Sequence, residues 1–134
     1  METLEELVCG LTPKLKALGY RKNRLTWYKA NGKLSTLFSI QKSQYDKDVW
    51  YCAYGICLHE ITAKSPNAMY SCQIIYRVDQ YLTMEAIVEL LKSWELRYGE
   101  LPKLRRLAVE GRLPGIVNRD AIRYLTTVDV TKIG

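Results

Sequence analysis

Hydrophobic positions along this chain change period twice, from helical to alternating and back to helical. Leu4, Leu7, Val8, Leu11, Leu15 and Leu18 fall on one helical face. Thr3 with Glu6 forms a capping box ahead of them, and Gly19 is placed to end the helix in the left-handed conformation. Gly10 weakens this helix. Pro13 removes a backbone donor and should kink or restart it, with Thr12 as a second cap. The spacing predicts a helix over about 3–18, in one piece or two.

Alternation begins after the basic connection Tyr20–Arg24. Leu25–Ala30 is aromatic and extended, and Asn31-Gly32 is a strong signal for a type I′ hairpin turn. Lys33–Ser43 returns, with Leu34, Thr36, Phe38 and Ile40 on one side. A polar loop, Ser43–Asp48, leads to a third strand at Val49–His59. A loop holding Ser65-Pro66-Asn67 leads to a fourth at Tyr70–Val78. Cys52, Tyr54, Ile56 and Leu58 share a face, as do Cys72, Ile74 and Tyr76, so one sheet face is greasy. The other mixes Gln41, Tyr51, His59, Gln73 and Arg77 with small residues.

Helical spacing then resumes. Thr83 caps a stripe of Ile87, Leu90, Leu91, Trp94 and Tyr98 that ends at Gly99. Leu101–Glu110 reads as a short helix stopped by Gly111, Pro114-Gly115 as a turn, and Asn118 as the cap of a last helix to about Leu125. The tail TTVDVTKI alternates, a candidate fifth strand. Segregated elements of this kind predict an α+β fold: an N-terminal helix, an antiparallel sheet of about four strands, and C-terminal helices packed on one sheet face. At 134 residues, with no linker or repeat, the expected organisation is one domain over 1–134.

Composition narrows the chemistry. Hydrophobic content of 48% with 25% charged residues suits a folded chain rather than a disordered one. No apolar run reaches the ~18 residues of a membrane helix, and the acidic start METLEELVCG lacks a secretion signal, so a cytoplasmic protein without membrane contact is expected. Cys9, Cys52, Cys57 and Cys72 have no CxxC spacing, and His59 is the single histidine. No metal site or cofactor is expected, and the thiols read as reduced packing residues. The net charge of +6 is concentrated toward the two ends of the chain. Its densest groups are Lys14–Arg24 and Lys103–Arg106, which makes Arg21, Lys22, Arg24, Arg105 and Arg106 candidate anion contacts.

Four features across Leu15–Ile56 resemble one known family. The first helix ends in Leu18-Gly19-Tyr20-Arg21-Lys22, and an aromatic pair, Trp27-Tyr28, opens the first strand. The second strand ends in Gln41-Lys42-Ser43, and the third carries Gly55-Ile56. The order and spacing are similar to those of the bacterial domain-of-unknown-function 4304 family. The resemblance implies a small α+β bacterial protein and brings no activity, cofactor or catalytic residue with it. Some small bacterial families of this kind occur as toxin-neutralising immunity proteins, an association of genomic setting.

No HExxH, phosphate loop, G-x-S-x-G elbow or EF-hand pattern is present, and no catalytic residue is assigned. Trp27, Tyr28, Tyr45, Trp50 and Tyr51 flank loops and are candidate partner contacts, together with Gln41, Ser43, His59, Gln73 and Arg77. Trp94, Tyr54 and Tyr76 read as core. Gly55 in mid-strand implies a bulge or a close neighbour above it. The leading expectation is a non-catalytic module that binds a protein, with an acidic-surfaced toxin that it neutralises as the candidate partner. A second reading is a nucleic-acid-binding module using segments 14–24 and 103–106 together. A third is a small enzyme with His59, beside Cys57, as its base.

Overall fold

A computed structural model describes residues 3–43, 45, 49–62, 68–78 and 82–127. The expected Ser65-Pro66-Asn67 loop, part of the Ser43–Asp48 loop and the tail strand from Val128 lie outside them.

The chain opens with α1 (Leu4–Ala17), capped as expected by Thr3, whose Oγ1 accepts from the Glu6 N–H. The helix runs through Pro13 as one piece. Thr12 does not cap a second segment; its hydroxyl donates to the Val8 carbonyl at 2.7 Å. Gly19 follows at φ 96°, as anticipated. Gly10 has a packing reason, because a Cβ there would stand 2.6 Å from Met84 Sδ at the start of α2 (Met84–Tyr98).

Among the described residues, six strands form one antiparallel sheet, each beside its neighbour in chain order: β1 (Arg21–Asn23), β2 (Thr26–Asn31), β3 (Leu34–Lys42), β4 (Trp50–Leu58), β5 (Ile74–Val78) and β6 (Ile116–Val117). The reversal near position 31 is present but lies one residue later than expected. Asn31 pairs with Leu34, so Gly32 and Lys33 are the central residues, and only Gly32 has positive φ. That is the II′ rather than the I′ pattern. Asn31 is spent elsewhere, its amide donating to the Gly99 carbonyl at 2.8 Å. The basic connection holds a second tight turn: Asn23 pairs with Thr26, and Arg24 takes φ 57°.

The helices α1, α2, α3 (Leu101–Val109) and α4 (Arg119–Thr126) share a core with one sheet face. Leu7, Leu11 and Leu15 of α1, Ile87, Leu91 and Trp94 of α2, Leu104 and Leu125 meet Leu34, Phe38, Ile40, Tyr54, Ile56, Leu58 and Ile74. Thr83 and Asn118 cap their helices as read from sequence.

The opposite face is roofed by the connection between β4 and β5. Two short 3₁₀ turns, His59–Ile61 and Met69–Ser71, lie in this connection, and Leu37, Ala53, Cys57 and Met69 make a small second core there. The fourth strand therefore begins at Ile74 rather than Tyr70. Cys72, expected beside Ile74 and Tyr76, packs on the opposite face instead. The chain is still descending from the roof at that point. Gly55 is small for the anticipated reason: a Cβ would lie 2.7 Å from Met69 Sδ and 2.8 Å from Cys72 Sγ.

Candidate functional site

One row of the sheet is aromatic on four successive strands. Trp27, Phe38, Tyr54 and Tyr76 are in register across β2, β3, β4 and β5. Ring centroids stand 5.6 Å apart for Trp27 and Phe38 and 5.1 Å for Phe38 and Tyr54. From α2, Trp94 lies 6.1 Å from Tyr54 and stacks on Tyr76 at 6.1 Å and 13°, with Tyr98 edge-on at 4.7 Å. Two of the polar tips are satisfied: Trp94 Nε1 donates to the Gly55 carbonyl and Tyr54 Oη to the Ile87 carbonyl, each at 3.2 Å, whereas the buried Trp27 Nε1 has no partner among the described residues. Burial pushes the Tyr54 phenol well above its ordinary range. The first three rings are buried, at 1% exposure or less, and Tyr76 alone in the row is open, at 43%. The row ends as one wall of a cleft.

That cleft, about 370 Å³, lies between α2, β5 and the Pro114-Gly115 turn, with Tyr76, Leu90, Trp94, Tyr98 and Arg97 on its walls. Gly115 sits against the Ile75 carbonyl, where a Cβ would collide, so the turn closes tightly on β5. Arg97 and Tyr98 also line an adjoining groove of about 500 Å³ with Lys103, Arg106, Leu107 and Arg112. Local chain geometry sets these cations. Gly111 takes φ 69°; its N–H bonds the Ala108 carbonyl, and the Arg112 N–H bonds the Leu107 carbonyl, a Schellman closure of α3 that turns Arg112 toward the groove. Lys103 Nζ donates to the Leu96 carbonyl at 2.9 Å. Among the described residues, the two linings contain four cationic side chains and no carboxylate. Among the described residues, no ion pair is formed by Arg97, Arg106 or Arg112.

The residues singled out from sequence separate into groups. Gln41, Ser43, Tyr45, Trp50, Tyr51 and Arg77 gather at the end of the sheet where β3 meets β4. Gln41 pairs with Tyr51, the Arg77 guanidinium lies 3.7 Å from the Tyr51 ring centre, and Ser43 Oγ accepts from the Tyr45 N–H. Tyr45 is 90% exposed. Trp27, expected as a contact, is inside the main core, while Tyr28 packs against the second one. Tyr76, read as core, is the exposed ring of the cleft.

His59 and Gln73 lie at the other end. His59 Nε2 is 2.7 Å from the buried Ser35 Oγ. Gln73 extends the ladder with its side chain, accepting from the Leu58 N–H at 2.8 Å and donating to Thr62 Oγ1 at 3.0 Å. A hollow of about 270 Å³ here is lined by Thr62, Tyr70, Cys72 and Gln73 among others, but not by His59, Cys57 or Gln41. Cys57 bonds Thr62 rather than His59, at 3.0 Å. A hydrogen bond with Cys72 lowers the Cys57 thiol to about 7 and raises that of Cys72. All four thiols are free. Among the described residues, no group of three or more His, Cys, Asp or Glu could hold a metal ion, and no helix is long and apolar enough to cross a membrane.

The basic segments also part company. Arg21 and Lys22 are on β1 and Arg24 in the turn after it, with Lys22 Nζ 5.6 Å from the Trp27 ring centre. β1 is one edge of the sheet, four strands from the β5 that carries Tyr76. Arg105 is engaged internally, donating to the Tyr124 carbonyl at 3.1 Å at the end of α4. Of the expected anion contacts, Arg106 alone lines the groove beside the cleft. Sequence reasoning missed Arg97, Tyr98 and Arg112. The helical i, i+3 and i+4 spacing of Leu90, Trp94, Arg97 and Tyr98 on α2 was the available signal.

The model of a family described as a domain of unknown function (DUF4304) matches residues 11–111. The match extends beyond the N-terminal features into α2 and α3, so it includes Tyr76, Trp94, Arg97, Tyr98 and Arg106. No curated protein and no solved structure gives a significant match.

Proposed function

The chain belongs to the domain of unknown function (DUF4304) family, and from that premise we propose that it is a non-catalytic binding protein that holds an anionic partner in the cleft between α2, β5 and α3. One observation carries this reading: an exposed aromatic wall runs directly into a groove of four cations, with no carboxylate among the described residues of either lining. Lys103 has Glu100 beside it at 4.0 Å, but the three guanidiniums of Arg97, Arg106 and Arg112 form no ion pair among the described residues and favour a negatively charged visitor, a preference that low-dielectric walls strengthen. Tyr, Trp and Arg are the side chains that most often dominate binding energy. The acidic-surfaced toxin considered from sequence falls inside this reading, since its carboxylates would meet the same cations.

The reading is tested with heparin as a generic polyanion. Wild-type protein should bind with an affinity that falls as salt rises. The Arg97→Glu/Arg106→Glu variant should lose most of that affinity, while Arg21→Glu/Lys22→Glu, an equal charge change on β1, should retain it. Equal losses in both variants, or no binding at low salt, would overturn it.

A further inference from the structure

We propose that the cleft is a binding site for single-stranded nucleic acid. An unpaired base would stack on Tyr76, with the steeply inclined Tyr98 ring against its edge, and flanking phosphates would lie on Arg97, Arg106 and Arg112. The proposal rests on the anionic-partner reading and names the chemistry of that partner.

Three observations on the page converge on this ligand. The first is the state of Tyr76. It is the terminal ring of the in-register row, 43% exposed, and held from behind by the nearly parallel indole of Trp94. A ring fixed in this way presents a flat face with little conformational freedom left to lose on binding. Every base has a π-face, so such a platform accepts bases with little regard to sequence. The second is adjacency. Arg97 and Tyr98 line both the aromatic cleft and the basic groove. A ligand spanning the two must therefore be apolar and flat at one end and anionic at the other, as a nucleotide is. An acidic peptide would use the cations but meets the aromatic wall only where it carries an aromatic side chain, whereas every nucleotide carries a flat base. The third is the identity of the cations. Three of the four are arginines, whose planar fork matches phosphate oxygens bidentately.

Stacking also separates single strands from duplex. Bases inside a duplex already stack on one another, so a duplex can offer this site only its phosphates. The three arginines predict a shallow salt response, a log–log slope of about −2 for three phosphates on a single strand.

Filter binding decides the matter, with four probes of matched length: oligothymidylate of ~15 nucleotides, which covers a single-module site, the same strand with abasic residues, a DNA duplex and polyglutamate. Wild-type protein should bind oligothymidylate best. The abasic strand, the Tyr76→Ala variant and the duplex should each weaken binding about tenfold or more. Tyr76→Phe, which keeps the ring, should bind like wild type. If the abasic strand binds as well as oligothymidylate, charge alone accounts for binding and the stacking site is overturned. That comparison uses only wild-type protein, so it stands even if Tyr76→Ala folds poorly. If polyglutamate binds and oligothymidylate does not, nucleic acid is overturned while the anionic-partner reading survives. If none of the probes binds at low salt, both fall.

Discussion

The two faces of this sheet are closed in opposite ways. The helical face carries rings: Trp27, Phe38, Tyr54 and Tyr76 in one row, with Trp94 laid over them. The other face carries mostly small side chains on its central strands, Ser35, Ser39, Ala53, Gly55 and Cys57, with Leu37 among them and Met69 of the roof packed into the same cluster. Large groups hold a helical layer away from the strands, and where that layer ends the gap becomes a cleft. Small groups let the connecting chain lie directly on the sheet, and its polar atoms are then met locally, as with Gln73 and Thr62. The contrast teaches that an opening on this fold follows from side-chain volume before it follows from charge.

Trp94→Ala should have the largest effect, because it removes a buried ring that three other aromatics touch, together with the indole bond to the Gly55 carbonyl. A loss of about 3–5 kcal/mol is expected in urea unfolding. A loss below ~1 kcal/mol would mean the helical face does not depend on this ring. Gly55→Val attacks the other face by forcing a side chain against Met69 and Cys72. It should cost about 1–3 kcal/mol and open the roof, seen as faster alkylation of Cys72 and Cys57. Unchanged alkylation would show that the roof is loose already. Cys52, on the helical face, should stay slow in both proteins, since burial pushes its thiol up to about 11. Replacing Gln73 by Leu removes two bonds that tie the roof to β4, at an expected cost of about 1–3 kcal/mol in the same assay. Tyr76→Ala should shift stability least, within ~1 kcal/mol, because the ring is exposed. A larger drop would make Tyr76 a structural member of the core rather than the lip of a binding site.

Local signals in the sequence located most elements. Thr3, Thr83 and Asn118 cap the helices they were expected to cap, and the apolar stripes of α1 and α2 face the sheet. Local signals failed where length or neighbours decide. β1 and β6 have three and two residues, too few to show alternation, and each exists because an adjacent strand supplies its ladder. Cys72 was placed by extrapolating a strand through residues that are still in a 3₁₀ turn. The cleft was not legible at all. Trp27 and Tyr76 occupy the same row, and which of them is covered depends on where α2 crosses the sheet. Position in sequence does not carry that information.

The Leu-Gly-aromatic-basic step found in the sequence acquires a physical role through Glu95. Its carboxylate accepts from Tyr20 Oη at 3.1 Å and from Lys29 Nζ at 2.6 Å, so one side chain of α2 joins the end of α1 to β2. Burial, then the nearby negative charge, drives the Tyr20 phenol far above its usual range.

The row of rings has an optical consequence. Chromophores held between 4.7 and 6.1 Å apart couple electronically, and an asymmetric, rigid set of them gives intense near-ultraviolet circular dichroism. Anything set down on the outer face of Tyr76 joins the end of that coupled series, so the protein carries its own label-free reporter of occupancy.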